Sequence, residues 1–332
     1  MKFGPVPVAQ AEGAILAHSL AADGSRIRKG KVLTSDDVAA LTRAGHTSVT
    51  VARLAATDVP EDEAATGIAR ALVPDPAAAG LHLAAAHTGR VNIYADVVGV
   101  LDVDVARVRA LNAVDPMITL ATARPWQVVI TTDRRHLVGT VKIIAYAVDQ
   151  ASLKLAVAKA SGAMRMRPVA MRTAKLIVTK IAESDKEVGH RAIYQRLQAL
   201  FMTCDVVYVA HTEDAIAQAI AAAETDLVLI LTASATSDPH DVAPEAVRAA
   251  GGQVTRFGMP VDPGNLLFLG TQGGRPVIGL PGCARSPALN GADWVLERVV
   301  CGLEVSDDDI AAMGVGGLLK ESPARPHPRE KR

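Results

Sequence analysis

Asp205-Val-Val-Tyr-Val-Ala210, the segment Thr212 to Ala223, and Asp226-Leu-Val-Leu-Ile-Leu231 follow one another with almost no intervening chain. The first and third are short apolar runs. The segment between them has helical spacing, with Thr212 placed to cap it. Buried strands alternating with helices in this way predict a parallel sheet covered on both faces. The pattern continues in both directions. Upstream, Lys175-Leu-Ile-Val-Thr179 reads as a strand and Glu187–Met202 as a helix with Val188, Ile193, Leu197 and Leu200 on one face. Downstream, Val242–Ala250 reads as a helix closed by Gly251 and Gly252. Val254–Phe257, Leu266–Leu269 and Pro276–Leu280 read as short strands, and Ser286–Val300 as a last helix. Residues 170–302 are therefore expected to form an α/β domain. Ligands of such sheets lie beyond the carboxyl ends of the strands, at a switch point. The loops after Thr179, Leu231 and Leu280 are the places to look.

The rest of the chain is less regular. Residues 1–73 read as short mixed elements, with a helix capped at Thr34-Ser-Asp-Asp37 and ending at Gly45, a strand at Ser48–Val51, and a helix from Glu61 to Leu72 stopped by Pro74 and Pro76. Residues 88–165 read as an α+β region. Its expected strands are Val91–Tyr94, Val97–Val103, Ile118–Ala121, Gln127–Ile130 and Thr140–Ala147, with a short helix from Asp104 to Asn112. Ser152–Lys159 fits a helix or one more strand. Residues 306–332, acidic, then Gly-rich, then Pro- and Arg-rich, are expected to be a disordered tail.

Composition narrows the function. Of 332 residues, 49% are apolar but only 3% aromatic, which suits close packing of small aliphatic side chains in more than one domain. Thirty-five Lys and Arg balance 35 Asp and Glu, so no basic field marks a nucleic-acid partner. Cys204, Cys283 and Cys301 form no CxxC pair, and the nine histidines show no metal-ligand spacing. No metal site is expected. Pro5, Pro7 and Glu12 interrupt any leader-like apolar stretch, and no run approaches the ~18 residues of a membrane span. A cytoplasmic protein with no membrane partner is the expectation.

Three loops carry the chemistry. In Val277-Ile-Gly-Leu-Pro-Gly-Cys-Ala-Arg-Ser286 a strand turns at Pro281 and Gly282 into a helix. Gly282 lets the backbone come close to a ligand, and the amides of Cys283 to Ser286 lie where a helix start favours an anion. Arg285 adds a bidentate fork for phosphate or carboxylate, and Ser286 a cap and a donor. The bland alternative, a strand-turn-helix junction with a surface arginine, is about as common. In Thr232-Ala-Ser-Ala-Thr-Ser-Asp-Pro-His-Asp241 small hydroxyl residues, Thr232, Ser234 and Thr236, stand where a phosphate loop has glycines. Asp241 is placed as the cap of the following helix. The functional alternative has Asp241 or Asp238 facing the cleft as a metal ligand or a polar clamp. In Ile181-Ala-Glu-Ser-Asp-Lys-Glu187, Ser184 and Asp185 are candidates to read an amide edge. Asp262 and Asn265, in the turn-rich Gly258–Asn265 segment, either contact ligand or hold their own turn.

Taken together, these motifs resemble one family group. Val261-Asp-Pro-Gly-Asn-Leu-Leu-Phe-Leu-Gly270 followed by Gly274-Arg-Pro-Val-Ile-Gly-Leu-Pro-Gly282 looks like the C-terminal signature of molybdopterin molybdotransferases, with Asn265 where that family has Lys and Cys283-Ala284 in place of Asn-Pro. Asp241-Val-Ala-Pro-Glu-Ala246 resembles the corresponding stretch of molybdopterin adenylyltransferases, whose preceding Thr-Gly-Gly-Thr-Gly loop keeps only its first Thr here, as Thr232. Ala11–Ser19 and Asn112–Leu120 are similar to other parts of this group, a subfamily of which carries a fused nucleotidyltransferase.

The resemblance implies a three-layer, parallel-sheet molybdopterin-binding domain at 170–302, preceded by a smaller α+β region. It also implies a role in molybdenum cofactor biosynthesis as a transferase that joins molybdate to molybdopterin or its nucleotide-activated form, with a Mg2+ requirement left open. Under it, Gly282, Cys283, Arg285 and Ser286 form a phosphate-binding loop. Thr232, Ser234 and Thr236 line the pterin side with Ser184, Asp185, Asp262 and Asn265, and Asp241 and Asp238 act in catalysis. The alternative is a non-catalytic carrier serving a nucleotidyltransferase or molybdoenzyme partner. A third reading, an unrelated doubly wound enzyme for another phosphorylated metabolite, rests on fold class alone. Relatives of this fold tend to dimerise or trimerise, so the resemblance also implies a homo-oligomer.

Overall fold

The computed structural model describes residues 1–130, 136–182 and 189–319. The chain divides into two compact units, one of Met1–Val97 with Leu101–Arg167, the other of Val98–Val100 with Pro168–Arg332. Among the described residues no helix is long and apolar enough to cross a membrane.

The first unit begins with a small sheet in which Ser48–Arg53 pairs antiparallel with both Lys2–Pro7 and Ile15–Leu16. The helix Ser35–Arg43 is held at its start by a capping box between Thr34 and Asp37. Leu16, Leu33, Leu41, Val49 and Val51 fill the core beneath. A second core lies under an antiparallel sheet of order Ile118–Thr122, His136–Ile143, Arg90–Ala95, Leu81–Leu83. The helices Glu61–Leu72 and Gln150–Ala160 contribute Ile68, Leu72, Ala156 and Ala160 to it. Ser152–Lys159 is thus helical. The run Thr140–Ala147 is split: one strand stops at Ile143 and another, Ala147–Asp149, pairs with Asp58–Pro60.

The second unit is the α/β domain. Its elements, numbered within it, are β1 (Thr173–Lys180), α1 (Arg191–Ala199), β2 (Thr203–Ala210), α2 (Glu213–Ala221), β3 (Leu227–Leu231), α3 (Val242–Ala249), β4 (Gln253–Phe257), β5 (Phe268–Gln272), β6 (Arg275–Leu280), α4 (Gly291–Val300) and α5 (Asp307–Ala312). The sheet order is β2-β1-β3-β6-β5-β4. Pairs β1–β2, β1–β3 and β3–β6 are parallel, as the alternation of apolar runs with helices predicts, although β2, an edge strand, has no buried residue. The other two strands are not: β5 and β4 are antiparallel to their neighbours. The cause is local. Gly273 and Gly274 both take positive φ, 59° and 81°, and close a two-residue hairpin between paired Gln272 and Arg275. Such a turn suits the twist of antiparallel strands.

The connections β1→β2 and β2→β3 cross the sheet in opposite directions. Right-handed crossovers then put α1 and α2 on opposite faces. In agreement, α2 and α3 share one core with Ile177, Val228, Ile230 and Phe268, while α1 packs on β2 and on the turn after β6.

Two expectations are corrected here. The helix expected at Ser286–Val300 starts at Gly291, and its cap is Asn290 in a box with Asp293. Ser286 precedes Pro287, whose ring disfavours helical geometry at the residue before it, and Ser286 is extended at ψ 143°. Residues 282–285 form a separate 3-10 turn. Of the segment 306–332, expected to lack order, residues 306–319 carry α5, capped by Ser306 with Asp309, and 320–332 lie outside the described residues. Beyond it, Asp262 N–H donates to Gly317 O at 2.9 Å and Leu319 N–H to Asp262 O at 2.8 Å.

Candidate functional site

β1 and β3 lie side by side, yet the chain leaves them toward opposite faces, so their carboxyl ends border the switch point of the sheet. Thr179, only 3% exposed near the end of β1, sits at this crevice. Its hydroxyl accepts the Ala233 N–H at 2.7 Å and lies 3.0 Å from Nδ1 of His211. Two further buried hydroxyls, Thr232 and Thr236, are 3.3 Å apart. The loop that carries hydroxyls in place of glycines is therefore fastened inward by those hydroxyls.

Arg285 ties the next loop to this one. Its Nη2 donates to Thr232 O at 2.6 Å. Partial burial pushes the guanidinium below its ordinary value, but an arginine stays charged. The turn that carries it is held from behind by Arg196 of α1. Nε of Arg196 is ion-paired with Asp293, and its Nη groups donate to Ala284 O (2.9 Å), Ser286 O (2.8 Å) and Ala288 O (3.1 Å).

Of the residues singled out from sequence, Thr232, Thr236 and Arg285 are thus brought together. Ser234 is exposed on the same loop. Gly282 is exposed, and a Cβ built there meets nothing within 4 Å, so the side a ligand would approach is open. Cys283 is half-buried in the 3-10 turn. Ser286 caps no helix; its Oγ accepts the Ala288 N–H at 3.3 Å, and the start of α4 is five residues further on. The expected helix-start anion site at Cys283–Ser286 is replaced by a short turn plus one arginine.

The carboxylates are turned to structural work. Asp241 accepts the Val242 N–H (2.7 Å) and the Ser237 N–H (3.2 Å), and Asp238 accepts the His240 N–H (2.8 Å). Asn265 Nδ2 reaches Met259 O at 3.4 Å and its carbonyl accepts the Met259 N–H, which closes the turn around Gly258. Asp262 bonds through its backbone to residues 317 and 319. Ser184 and Asp185 lie outside the described residues.

Sequence reasoning passed over a polar group on the α1 side. Tyr208 on β2 pairs in register with Val178, and Lys180 with Ala210, so Tyr208 and Lys180 rise from one face. The Tyr208 hydroxyl is 2.6 Å from Nδ1 of His190, and Lys180 Nζ lies 5.8 Å from the Tyr208 ring centre. Gly189, beside His190, has φ +96° and packs on Arg285: a Cβ there would come within 2.5 Å of Nη1. Alternation along β2 placed Tyr208 on that face; its partner His190 needed the fold. Gly189→Ala is expected to cost about 1–2 kcal/mol from the positive φ and to push Arg285 off the Thr232 carbonyl. A urea titration paired with the Arg285 side-chain NMR resonance checks both effects.

Among the described residues no group of three or more His, Cys, Asp or Glu is placed to hold a metal ion.

Residues 5–53 match a family model described as "Domain of unknown function (DUF8806)". No curated protein matches the chain. Among solved structures, the chain is similar to a molybdopterin biosynthesis MoeA protein from Pyrococcus horikosii. That alignment has 13% identity and a TM-score of 0.33, over 91% of this chain and 75% of that one. It is also similar to a molybdenum cofactor biosynthesis protein B, at 16% identity and a TM-score of 0.30, over 40% of this chain and 96% of that one. Likenesses this distant leave function to be argued from the residues themselves.

Proposed function

We propose that the α/β unit binds molybdopterin at the carboxyl ends of β1, β3 and β6, and that the protein acts in molybdenum cofactor biosynthesis at or beside the joining of molybdate. One observation carries the reading. Arg285, in the Leu-Pro-Gly loop, bonds to Thr232, the retained first residue of the Thr-Gly-Gly-Thr-Gly-like loop, at 2.6 Å. The two stretches that resemble molybdopterin proteins therefore meet over the switch point, although 53 residues separate them in sequence.

The donors suit the ligand. Arg285 uses one N–H on Thr232; Nε and Nη1 have no other acceptor among the described residues and suit a phosphate oxygen. Open space over Gly282 admits the phosphate end. Between the inward-turned Thr232 and Thr236, the exposed Ala233, Ser234 and Ala235 offer two methyls and the Ser234 hydroxyl to a pterin edge. Molybdenum, a substrate here, would be held by the dithiolene of the pterin.

Arg285→Ala should weaken molybdopterin binding by about 1–3 kcal/mol, the loss of a charge-assisted contact. Fluorescence titration with purified molybdopterin measures it, and an unchanged affinity would remove the phosphate-loop assignment. The carrier reading is favoured by one observation: the Asp241 and Asp238 carboxylates are occupied with backbone amides. Molybdate-dependent conversion of bound molybdopterin separates it from the transferase reading.

A further inference from the structure

The two edges of the α/β sheet are built differently. At one end, β4 is five residues long and slips register against β5 between Val254 and Arg256. Short length, a bulge and a charge are the usual protections of an open edge. At the other end, β2 has little of this. It runs for eight residues in unbroken register with β1, and Asp205 is its one charged residue. Among the described residues, no backbone bond from 204–209 reaches any strand but β1. Val206, Val207 and Val209 are each only half-buried.

The helix that packs on this edge adds a second feature. Tyr194 and Arg196 of α1 stand about 160° apart around the helix, at 3.6 residues per turn. Arg196 is turned toward the middle of the sheet, where it holds the turn after β6. Tyr194 therefore lies on the flank toward the β2 edge, and it is 42% exposed. Phe201, between α1 and β2, is 68% exposed at φ 57°. A bulky side chain is disfavoured there, and a ring left mostly in water offsets little of that cost.

We propose that the β2 edge and the adjoining flank of α1 form the interface with a second copy of this chain, paired antiparallel about a two-fold axis through Val207. α1 runs back from the end of β1 to the start of β2, and His190 at its beginning meets Tyr208. Tyr194 thus stands beside the carboxyl half of β2, and Phe201 beside its start. The two-fold exchanges those ends. It brings Tyr194 of each copy toward Phe201 of the other and continues the sheet across the boundary. Asp205 then falls opposite Val209 and not against its own copy, so no like charges meet on the strand pair. The same fit argues for the occupant. An unrelated extended segment would pair the edge and leave the aromatic flank in water. Residues 320–332 hold Pro323, Pro326 and Pro328, which lack the N–H that an added strand must donate.

Sedimentation velocity of the full chain over a concentration series reads the assembly, and hydrogen exchange of the 204–209 amides reads its location. A dimer is expected. Phe201→Gly should raise its dissociation constant about tenfold or more, through loss of a buried ring from each copy. It should do so without lowering the melting temperature of the monomer, because glycine accepts the positive φ. Tyr194→Glu, at an exposed position, should weaken the dimer similarly by setting a carboxylate against the opposing ring. The 204–209 amides should exchange more slowly in the parent dimer than in the Phe201→Gly monomer. The proposal is overturned if the parent stays monomeric at high micromolar concentration, if either variant dimerises as tightly as the parent, or if exchange of 204–209 is the same in dimer and monomer.

Discussion

Arg196→Ala is expected to lower the unfolding free energy of the α/β unit by about 3–5 kcal/mol, the cost of stripping one partner from a buried pair. Both ends of the pair are shielded, with the side chains of Arg196 and Asp293 16% and 8% exposed. The loss would be compound. Asp293 would keep its charge without its counter-ion, and the carbonyls of Ala284, Ser286 and Ala288 would lose their donor. Arg196→Lys should recover only part, because one ammonium cannot reach three carbonyls and a carboxylate together. Urea denaturation followed by far-UV circular dichroism gives the difference. A loss under about 1 kcal/mol would mean that the loop holds itself. The Arg285 turn depends on the same bonds, so ligand affinity should fall in Arg196→Ala under conditions where the chain is still folded.

Gly279→Ala should cost about 3 kcal/mol through overpacking at the centre of the sheet. Gly279 on β6 lies directly opposite Phe268 on β5, and a Cβ added there would sit inside the Phe268 ring. That ring is 1% exposed and belongs to the core that includes Ile177, Val228, Ile230 and Val277. Phe268→Leu alone should destabilise by leaving a void, yet in combination with Gly279→Ala it should restore part of the loss. A double-mutant cycle on thermal or urea unfolding should then show coupling of about 1–3 kcal/mol. Additive effects would show that the two sites do not share the space.

The elements legible in the sequence were those whose signals are local. Thr212 caps α2, Glu61–Leu72 keeps the bounds that Pro74 suggested, and three apolar runs became the parallel strands β1, β2 and β3. The start of α4 was misplaced because a serine after a turn looked like a cap, while Pro287 behind it forbade one. The antiparallel edge was hidden in a Gly-Gly pair whose meaning depends on which strands flank it.

At the site, residue types were easier to choose than their partners. Arg285 could be singled out from its loop, but its bond to the Thr232 carbonyl is a tertiary fact. Arg196 and Tyr208 carried no local mark, because each acts on a segment distant in the chain. Asp241 could be read as a cap or as a cleft-facing clamp from its position alone, and its carboxylate was found on two amides.

The hydroxyl lock at the switch point has a consequence for selectivity. A glycine-rich cradle presents several free amides, which is what a polyphosphate chain seeks. Here the Ala233 amide is already committed to Thr179, and Thr232 and Thr236 face each other. Such a lip has little left to offer a string of phosphates. It should prefer a flat heterocycle over a triphosphate, and so sort incoming molecules by their rings before Arg285 meets their charge.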